Sequence, residues 1–154
     1  MRALSLALLL VAAPLAAEKI SPEVFAQVLA IGDRLGVPRS VNRQLMHEES
    51  EGDATIPSKE ESHGYHSRGL FQLWEEPKNI TYLVNTFWYG AGHPEPFDIL
   101  NPIHNATVGL GYLASLHVIW GNWYLAACHY NGMQADGRPS AETRAYALRI
   151  VRAP

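Results

Sequence analysis

The segment HEESE, residues 47–51, places three glutamates within four positions of the chain. If it lies on a helix, successive side chains point about 100° apart, and Leu45 marks the apolar face. Glu49 follows Leu45 by four residues and therefore points into that face, whereas Glu48 lies at its edge and Glu51 on the opposite side. The three carboxyl groups are expected to have three different environments.

Glu49 is the carboxyl group best placed for acid catalysis. Apolar surroundings disfavour the ionised form of a carboxyl group and so raise its pKa. A general acid needs a raised pKa to keep its proton near neutral pH. The same position also fits a structural glutamate paired with a buried arginine, such as Arg43 or Arg68. The helical pattern alone leaves both interpretations open.

Two further patterns contain reactive residue types, and for both we expect a structural role. His47 and Glu51 lie one helical turn apart, but a helical zinc site would have a second histidine in place of Glu51. This side of the helix is polar, so an exposed pair is expected. Cys128, the single cysteine, stands among small and apolar residues and is expected to be packed rather than nucleophilic. The sequence therefore predicts neither a metal nor a cofactor.

The composition fits one globular domain. The chain has 154 residues, of which 47% are hydrophobic and 18% charged, which allows a core of useful size. A formal net charge of -3 provides no basic surface of the kind that binds nucleic acid. One cysteine cannot form an intramolecular disulfide, so the fold must depend on its core.

Residues 1–17 have the pattern of a secretory signal peptide. A basic residue precedes an apolar run from Ala3 to Ala13, then a proline and small residues follow, and cleavage is expected after Ala17. The run is short for a membrane span, so an uncleaved anchor is the less favoured alternative, and no stable membrane insertion is expected after cleavage. Residues 18–154 would form the mature, exported protein.

Helical signals extend over most of residues 18–154. Apolar residues at helical spacing, bounded by Ser, Asn, Gly and Pro, predict six or seven helices and an all-α fold class. Helix starts are expected at Ser21-Pro22, Ser40, Pro77, Asn101-Pro102, Trp123 and Ser140. The polar stretch 53–69 has no period and is predicted to be a long loop, and no alternating strand pattern of useful length is found.

Four segments, in order along the chain, resemble the catalytic domain of the soluble lytic transglycosylases, a family of the lysozyme-like superfamily. They are Glu49-Ser50, Gly69-Leu70-Phe71-Gln72, the stretch NATVGLGYL from Asn105 to Leu113, and Tyr130-Asn131. The last predicted helix, ETRAYALRIV, is similar to the closing ET-x-x-Y segment of the family. The resemblance covers nearly all of residues 18–154 and implies a single lysozyme-like domain with a substrate groove.

The resemblance implies cleavage of the β-1,4 bond between N-acetylmuramic acid and N-acetylglucosamine in peptidoglycan. Glu49 would protonate the glycosidic oxygen and then act as a base on the muramyl C6 hydroxyl, giving a 1,6-anhydro product. It also implies that Ser50, Gln72, Tyr130 and Asn131 surround the substrate, and that Tyr130 orients Glu49.

Two alternatives stay open beside this activity. An intramolecular attack needs one residue that acts in turn as acid and base, whereas most glycosidases use two carboxyl groups. Asp53, Glu75, Glu76 and Asp98 are the residues that could supply a second one. A hydrolytic goose-type lysozyme or chitinase of the same fold is therefore one alternative, and a non-catalytic glycan-binding protein is the other.

The expected partners are peptidoglycan strands, with a cell-envelope apparatus as a further candidate. Most aromatic residues at helical spacing belong to a core, so one or two are expected to line the groove. Tyr65, in the predicted loop, is a candidate for its wall.

Overall fold

The computed structural model describes residues 19–57 and 61–152. The predicted signal peptide, residues 1–17, lies outside the described residues. The described part contains six α-helices: α1 (Pro22–Arg34), α2 (Arg39–Ser50), α3 (Pro77–Phe87), α4 (Pro102–Trp120), α5 (Trp123–Asn131) and α6 (Ala141–Arg152). The prediction of an all-α domain with six or seven helices is therefore confirmed. None of the described helices is both long and apolar enough to cross a membrane.

Local capping signals set most of the helix starts. Side-chain oxygens of Ser21, Asn101 and Ser140 accept hydrogen bonds from backbone N–H groups in the first turns of α1, α4 and α6. The start predicted for α2 is wrong, because this helix begins one residue before Ser40 and has no side-chain cap. Pro38 precedes it with φ at -56°, and a proline ring held at this angle is suited to the start of a helix.

A small antiparallel sheet replaces part of the predicted loop. β1 (Glu61–Ser62), β2 (Tyr65–Arg68) and β3 (Leu73–Trp74) pair in that order. His63 and Gly64 connect β1 to β2 and have positive φ angles of 53° and 79°, which suits a tight two-residue hairpin turn. Strands of two to four residues are too short to show an alternating pattern, so the sequence did not predict them.

α4 is the central helix of the fold. Its buried residues lie on all its sides, and it packs against α1, α3 and α5. The larger core cluster joins α1, α2, α4, α5 and α6, and it contains Cys128 as a fully buried side chain, as predicted. A second cluster, around Trp88 and Leu83, packs α3 against α4 through Val108. The two clusters hold α2, α3 and α6 around the cleft described below.

Asn105 ties the irregular chain between β2 and β3 to α4. This fully buried side chain accepts a hydrogen bond from Phe71 N at 2.7 Å. It donates two others, to Arg68 O at 3.1 Å and to Ile99 O at 2.9 Å. A buried peptide group without a partner costs roughly 1–3 kcal/mol, so one amide stabilises three backbone sites at once.

Replacing Asn105 with alanine should lower the free energy of unfolding by roughly 2–4 kcal/mol, because these backbone groups lose their partner. Urea unfolding followed by circular dichroism measures the change. Asn85→Ala is the matched control, since Asn85 lies exposed on α3. The same unfolding midpoint for both variants would contradict this role of Asn105.

Candidate active site

A cleft with a volume of about 480 Å³ lies between α2, α6 and the small sheet. Five of the six helices and the segment 67–74 contribute side chains to it. The lining residues are Glu48, Glu49, Ser67, Gln72, Leu73, Trp74, Asn79, Leu83, Tyr112, Tyr130, Asn131, Glu142, Tyr146 and Arg149. Four of the five site residues named from the sequence therefore meet in this cleft, and Ser50 does not.

Glu49 lies in the last turn of α2 and is half-buried at the cleft wall. Its Oε1 atom accepts a hydrogen bond from the hydroxyl of Tyr146 on α6. The two arginines considered as partners bind elsewhere. The Arg43 guanidinium lies over an aromatic ring, 5.1 Å from its centroid, and Arg68 forms an ion pair with Glu75 at 2.7 Å. The geometry therefore favours a carboxyl group held in the cleft by a neutral donor.

The predicted orientation of Glu49 by Tyr130 needs correction. The Tyr130 hydroxyl donates its hydrogen bond to Phe71 O at 2.8 Å, and a hydroxyl has a single hydrogen to donate. Tyr146 is the tyrosine that donates to Glu49. It is the last residue of the ETRAY segment, which the resemblance had marked without assigning it a role.

Both tyrosine hydroxyls stay protonated far above neutral pH. Burial raises the pKa of Tyr146 well above its usual value, and the charge of Glu49 and the hydrogen bond to it raise this pKa further. Burial and the charge of Glu49 also raise the pKa of Tyr130. Each hydroxyl can therefore act as a hydrogen-bond donor throughout the neutral pH range.

Gln72 brings a buried acceptor to the cleft. Its backbone has a positive φ of 45°, and the residue is 8% exposed. Its side-chain nitrogen donates to Gly69 O at 3.0 Å, whereas its Oε1 is buried and has no hydrogen-bond partner among the described residues. A buried acceptor without a donor is costly, so this side chain is held in the cleft lining at some cost in stability.

Ser50 and Asn131 differ in their access to the cleft. Asn131 is the last residue of α5 and lines it. Ser50 is fully buried, and its hydroxyl donates to Met46 O at 3.2 Å within α2. The structure therefore gives Ser50 a packing role instead of the substrate contact that the resemblance implies.

Gly109 allows two cleft elements to pack closely on α4. A Cβ atom at this position would lie 2.7 Å from Phe71 Cβ and 3.1 Å from the Tyr130 hydroxyl oxygen, so something would have to shift. Tyr112 follows on the same helix and lines the cleft, with its ring centroid 5.5 Å from that of Tyr130. The NATVGLGYL segment thus combines three features on one helix. Asn105 holds the chain before β3, Gly109 allows the close contact, and Tyr112 lines the cleft.

Two further carboxyl groups line the cleft, and neither belongs to the four that the sequence suggested. Glu48 binds the Nε atom of Arg149 through both of its oxygens, at 3.0 and 2.9 Å. Glu142 lies exposed on α6. Asp53 is not a lining residue, and hydrogen bonds from Thr55 lead the interactions that lower its pKa to about 2. Asp53 therefore stays outside the cleft and is not placed to act beside Glu49.

Trp74 supplies an aromatic wall of the cleft. Tyr65, the predicted wall residue, instead packs edge-on against Trp74, with ring centroids 6.3 Å apart and an interplanar angle of 74°. Tyr65 therefore supports the wall, and Trp74 is the residue whose surface a sugar ring can contact.

His47 and Glu51 both lie exposed at the end of α2, as predicted. Within residues 19–57 and 61–152, no group of three or more His, Cys, Asp or Glu side chains is placed to hold a metal ion. The described histidines therefore assemble no metal-binding cluster.

In the Tyr146→Phe variant, the free energy of unfolding should fall less steeply with rising alkaline pH than in the wild type. The fold keeps this hydroxyl protonated above about pH 10, where an unfolded tyrosine ionises, so stability falls as the pH rises beyond that value. Removing the hydroxyl should reduce this slope by about 1.4 kcal/mol per pH unit. Urea unfolding at a series of alkaline pH values measures it.

The matched control for this variant is Tyr82→Phe, because Tyr82 is 60% exposed. It should leave the slope of the wild type unchanged. Equal slopes for Tyr146→Phe and the wild type would show that the Tyr146 hydroxyl is not held in its neutral form.

The family model described as Transglycosylase SLT domain matches residues 28–147, a range that contains every lining residue of the cleft except Arg149. A search of curated proteins found no match. The matched range covers well over half of the chain and includes the ordered segments noted in the sequence. The chain therefore belongs to the SLT transglycosylase domain family, whose members are glycan-cleaving domains of the lytic transglycosylase type.

Proposed function

We propose that the protein is an exported lytic transglycosylase that cleaves the β-1,4 bond between N-acetylmuramic acid and N-acetylglucosamine in peptidoglycan. One observation carries the proposal: Glu49 is a half-buried carboxyl group at the cleft wall, with its Oε1 held by the Tyr146 hydroxyl. The family supports the reaction class and the peptidoglycan substrate. Residues 1–17 would direct export, so that the enzyme acts in the periplasm, at the cell wall or outside the cell.

The reaction needs one carboxyl group in two protonation states. Glu49 donates its proton to the glycosidic oxygen as the bond to the muramyl C1 atom breaks, and the N-acetylglucosamine side leaves with a free hydroxyl. The ionised Glu49 then accepts the proton of the muramyl C6 hydroxyl, whose oxygen bonds to C1. The product carries a 1,6-anhydro ring, no water is consumed, and Glu49 regains its proton.

Tyr146 is a positioning residue in this scheme. Its hydroxyl fixes the orientation of the Glu49 carboxyl group and can stabilise the carboxylate formed after the first proton transfer. Because its pKa is raised well above the usual value, it remains a donor in both steps. Tyr130 acts differently, since its hydroxyl holds the backbone of Phe71, directly before Gln72.

Three cleft residues are suited to hold the sugars. Gln72 supplies a side-chain amide to the cleft lining. Asn131 supplies a side-chain amide at the end of α5, and Trp74 supplies a ring surface for a pyranose.

Glu49→Gln should lower the rate of cleavage by roughly 10²–10⁴-fold, because glutamine can neither donate nor accept the reacting proton. Purified sacculi are the substrate, and mass spectrometry of the released muropeptides should show 1,6-anhydro ends with the wild type. The matched control is Glu51→Gln, since Glu51 directly follows the last residue of the same helix, lies exposed and is not a lining residue. Undiminished cleavage by Glu49→Gln would eliminate Glu49 as the acid.

Hydrolysis remains a second candidate function, because a second carboxyl group, that of Glu142, lines the cleft. Inverting glycosidases place a second carboxylate about 6.5–9.5 Å from the acid to activate water. Glu142 lies in the cleft one helical turn before Tyr146, whereas Glu48 is engaged with Arg149. Glu142 is therefore the residue on which a hydrolytic mechanism would depend.

Glu142→Gln should still release 1,6-anhydro products under our proposal, because the lyase reaction needs no second carboxylate. The assay runs in oxygen-18 water, which labels the new reducing ends that hydrolysis creates. Labelled ends from the wild type that disappear in Glu142→Gln would replace the lyase with a hydrolase. A wild type that binds sacculi without releasing either product would instead support the non-catalytic alternative.

A further inference from the structure

Arg149 carries the only positive charge among the described residues that line the cleft. The acidic lining residues are Glu48, Glu49 and Glu142, of which Glu49 carries its proton when the proposed reaction begins. An anionic group that enters this cleft is therefore repelled at several places and attracted at one. Arg149 also lies beyond the range matched by the family model, which ends at residue 147.

α6 sets the position of this charge along the cleft. Glu142, Tyr146 and Arg149 stand at positions i, i+4 and i+7, so their side chains follow one another along one face of the helix. At 1.5 Å per residue, the first and last of them are about 10 Å apart along the helix axis. The cleft therefore has a carboxylate at one end of this row, the Tyr146 contact with the acid in the middle, and a guanidinium group at the other end.

The guanidinium group of Arg149 is fixed in place and still accessible. Its Nε atom donates to both oxygens of Glu48, and the Glu48 side chain is only 15% exposed. The Arg149 side chain is 54% exposed. Because both of these hydrogen bonds leave from Nε, the two terminal Nη groups can bind a second carboxylate.

We infer that Arg149 is a specificity-determining residue, which binds a carboxylate carried by the glycan strand and so favours an anionic muramyl glycan over a neutral one. The inference rests on the proposed function for the kind of strand in the cleft. Two parts of peptidoglycan supply this chemistry, namely the lactyl carboxylate of a muramyl residue without a peptide and the carboxylates of a peptide stem. Glu142, at the other end of the row, repels the same carboxylate. The glycan strand is therefore favoured in the direction that places its carboxylate near Arg149 and away from Glu142.

Binding to three tetrasaccharides tests the inference without reference to turnover. Calorimetry on the Glu49→Gln background compares a muramyl tetrasaccharide without peptides, the same glycan with peptide stems, and neutral chitotetraose. Arg149→Ala should weaken binding of at least one anionic glycan by roughly five- to tenfold, the scale of one accessible charge-assisted contact. Chitotetraose binding should change less than about twofold, and the anionic glycan that is affected identifies the source of the carboxylate.

Three control variants separate ligand binding from a structural role. Arg149→Lys should recover part of the lost affinity, because it keeps the charge and loses the bidentate fork. Glu48→Gln should not weaken binding of the anionic glycans, because the glutamine amide oxygen can still accept from Arg149 Nε while one negative charge is removed from the cleft; a purely structural ion pair would make it behave like Arg149→Ala. Arg152→Ala removes the same charge from an exposed position of α6 outside the cleft lining and should change no affinity.

Equal weakening of all three ligands by Arg149→Ala, or no weakening of any, would overturn the inference. So would the absence of measurable binding by the Glu49→Gln parent protein. Failure of the proposed function is seen separately, in the product analysis of the wild type on sacculi. A protein that discriminates anionic from neutral glycans without cleaving either would retain the role of Arg149 and lose the lyase activity.

Discussion

The cleft depends first on the amide of Asn105. The chain between β2 and β3 is irregular, yet Leu70 and Phe71 within it are fully buried. Irregular buried backbone is stable only if its polar groups find partners, and Asn105 supplies them to Arg68 O and Phe71 N. Phe71 O, on the same anchored residue, accepts the Tyr130 hydroxyl, and Gln72 comes next with its left-handed φ. The Asn105 side chain on α4 thus fixes the chain segment that brings Gln72 to the cleft.

The NATVGLGYL segment now has a physical explanation for its spacing. Asn105, Gly109 and Tyr112 stand at i, i+4 and i+7, so they share one face of α4. Along this face Asn105 anchors the chain before β3, Gly109 leaves room for Phe71 and Tyr130, and Tyr112 lines the cleft. In the sequence these residues were only markers of a resemblance. In the structure they are successive contacts of one helix with the cleft.

Local rules were enough to predict part of this protein. The caps at Ser21 and Asn101 follow from side-chain chemistry next to an apolar period, and helical spacing directed Glu49 toward the apolar face. Such rules give the direction of a side chain and not its partner. Tyr146 lies 97 residues from Glu49 along the chain, so only the packing of α6 against α2 reveals the hydrogen bond. The short sheet was missed for another reason, since its strands are shorter than the period that would identify them.

α2 and α6 meet through two adjacent glutamates with different roles. Glu49 accepts from Tyr146, and Glu48 binds Arg149, one turn further along α6. An ion pair as exposed as the second contributes about 0–1 kcal/mol to stability, whereas apolar packing of Leu45 and other core residues already holds the helices together. The pair is therefore not needed to keep α2 on α6. Its effect is on the cleft, where the same interface that orients the carboxyl group of Glu49 also sets the position of the positive charge.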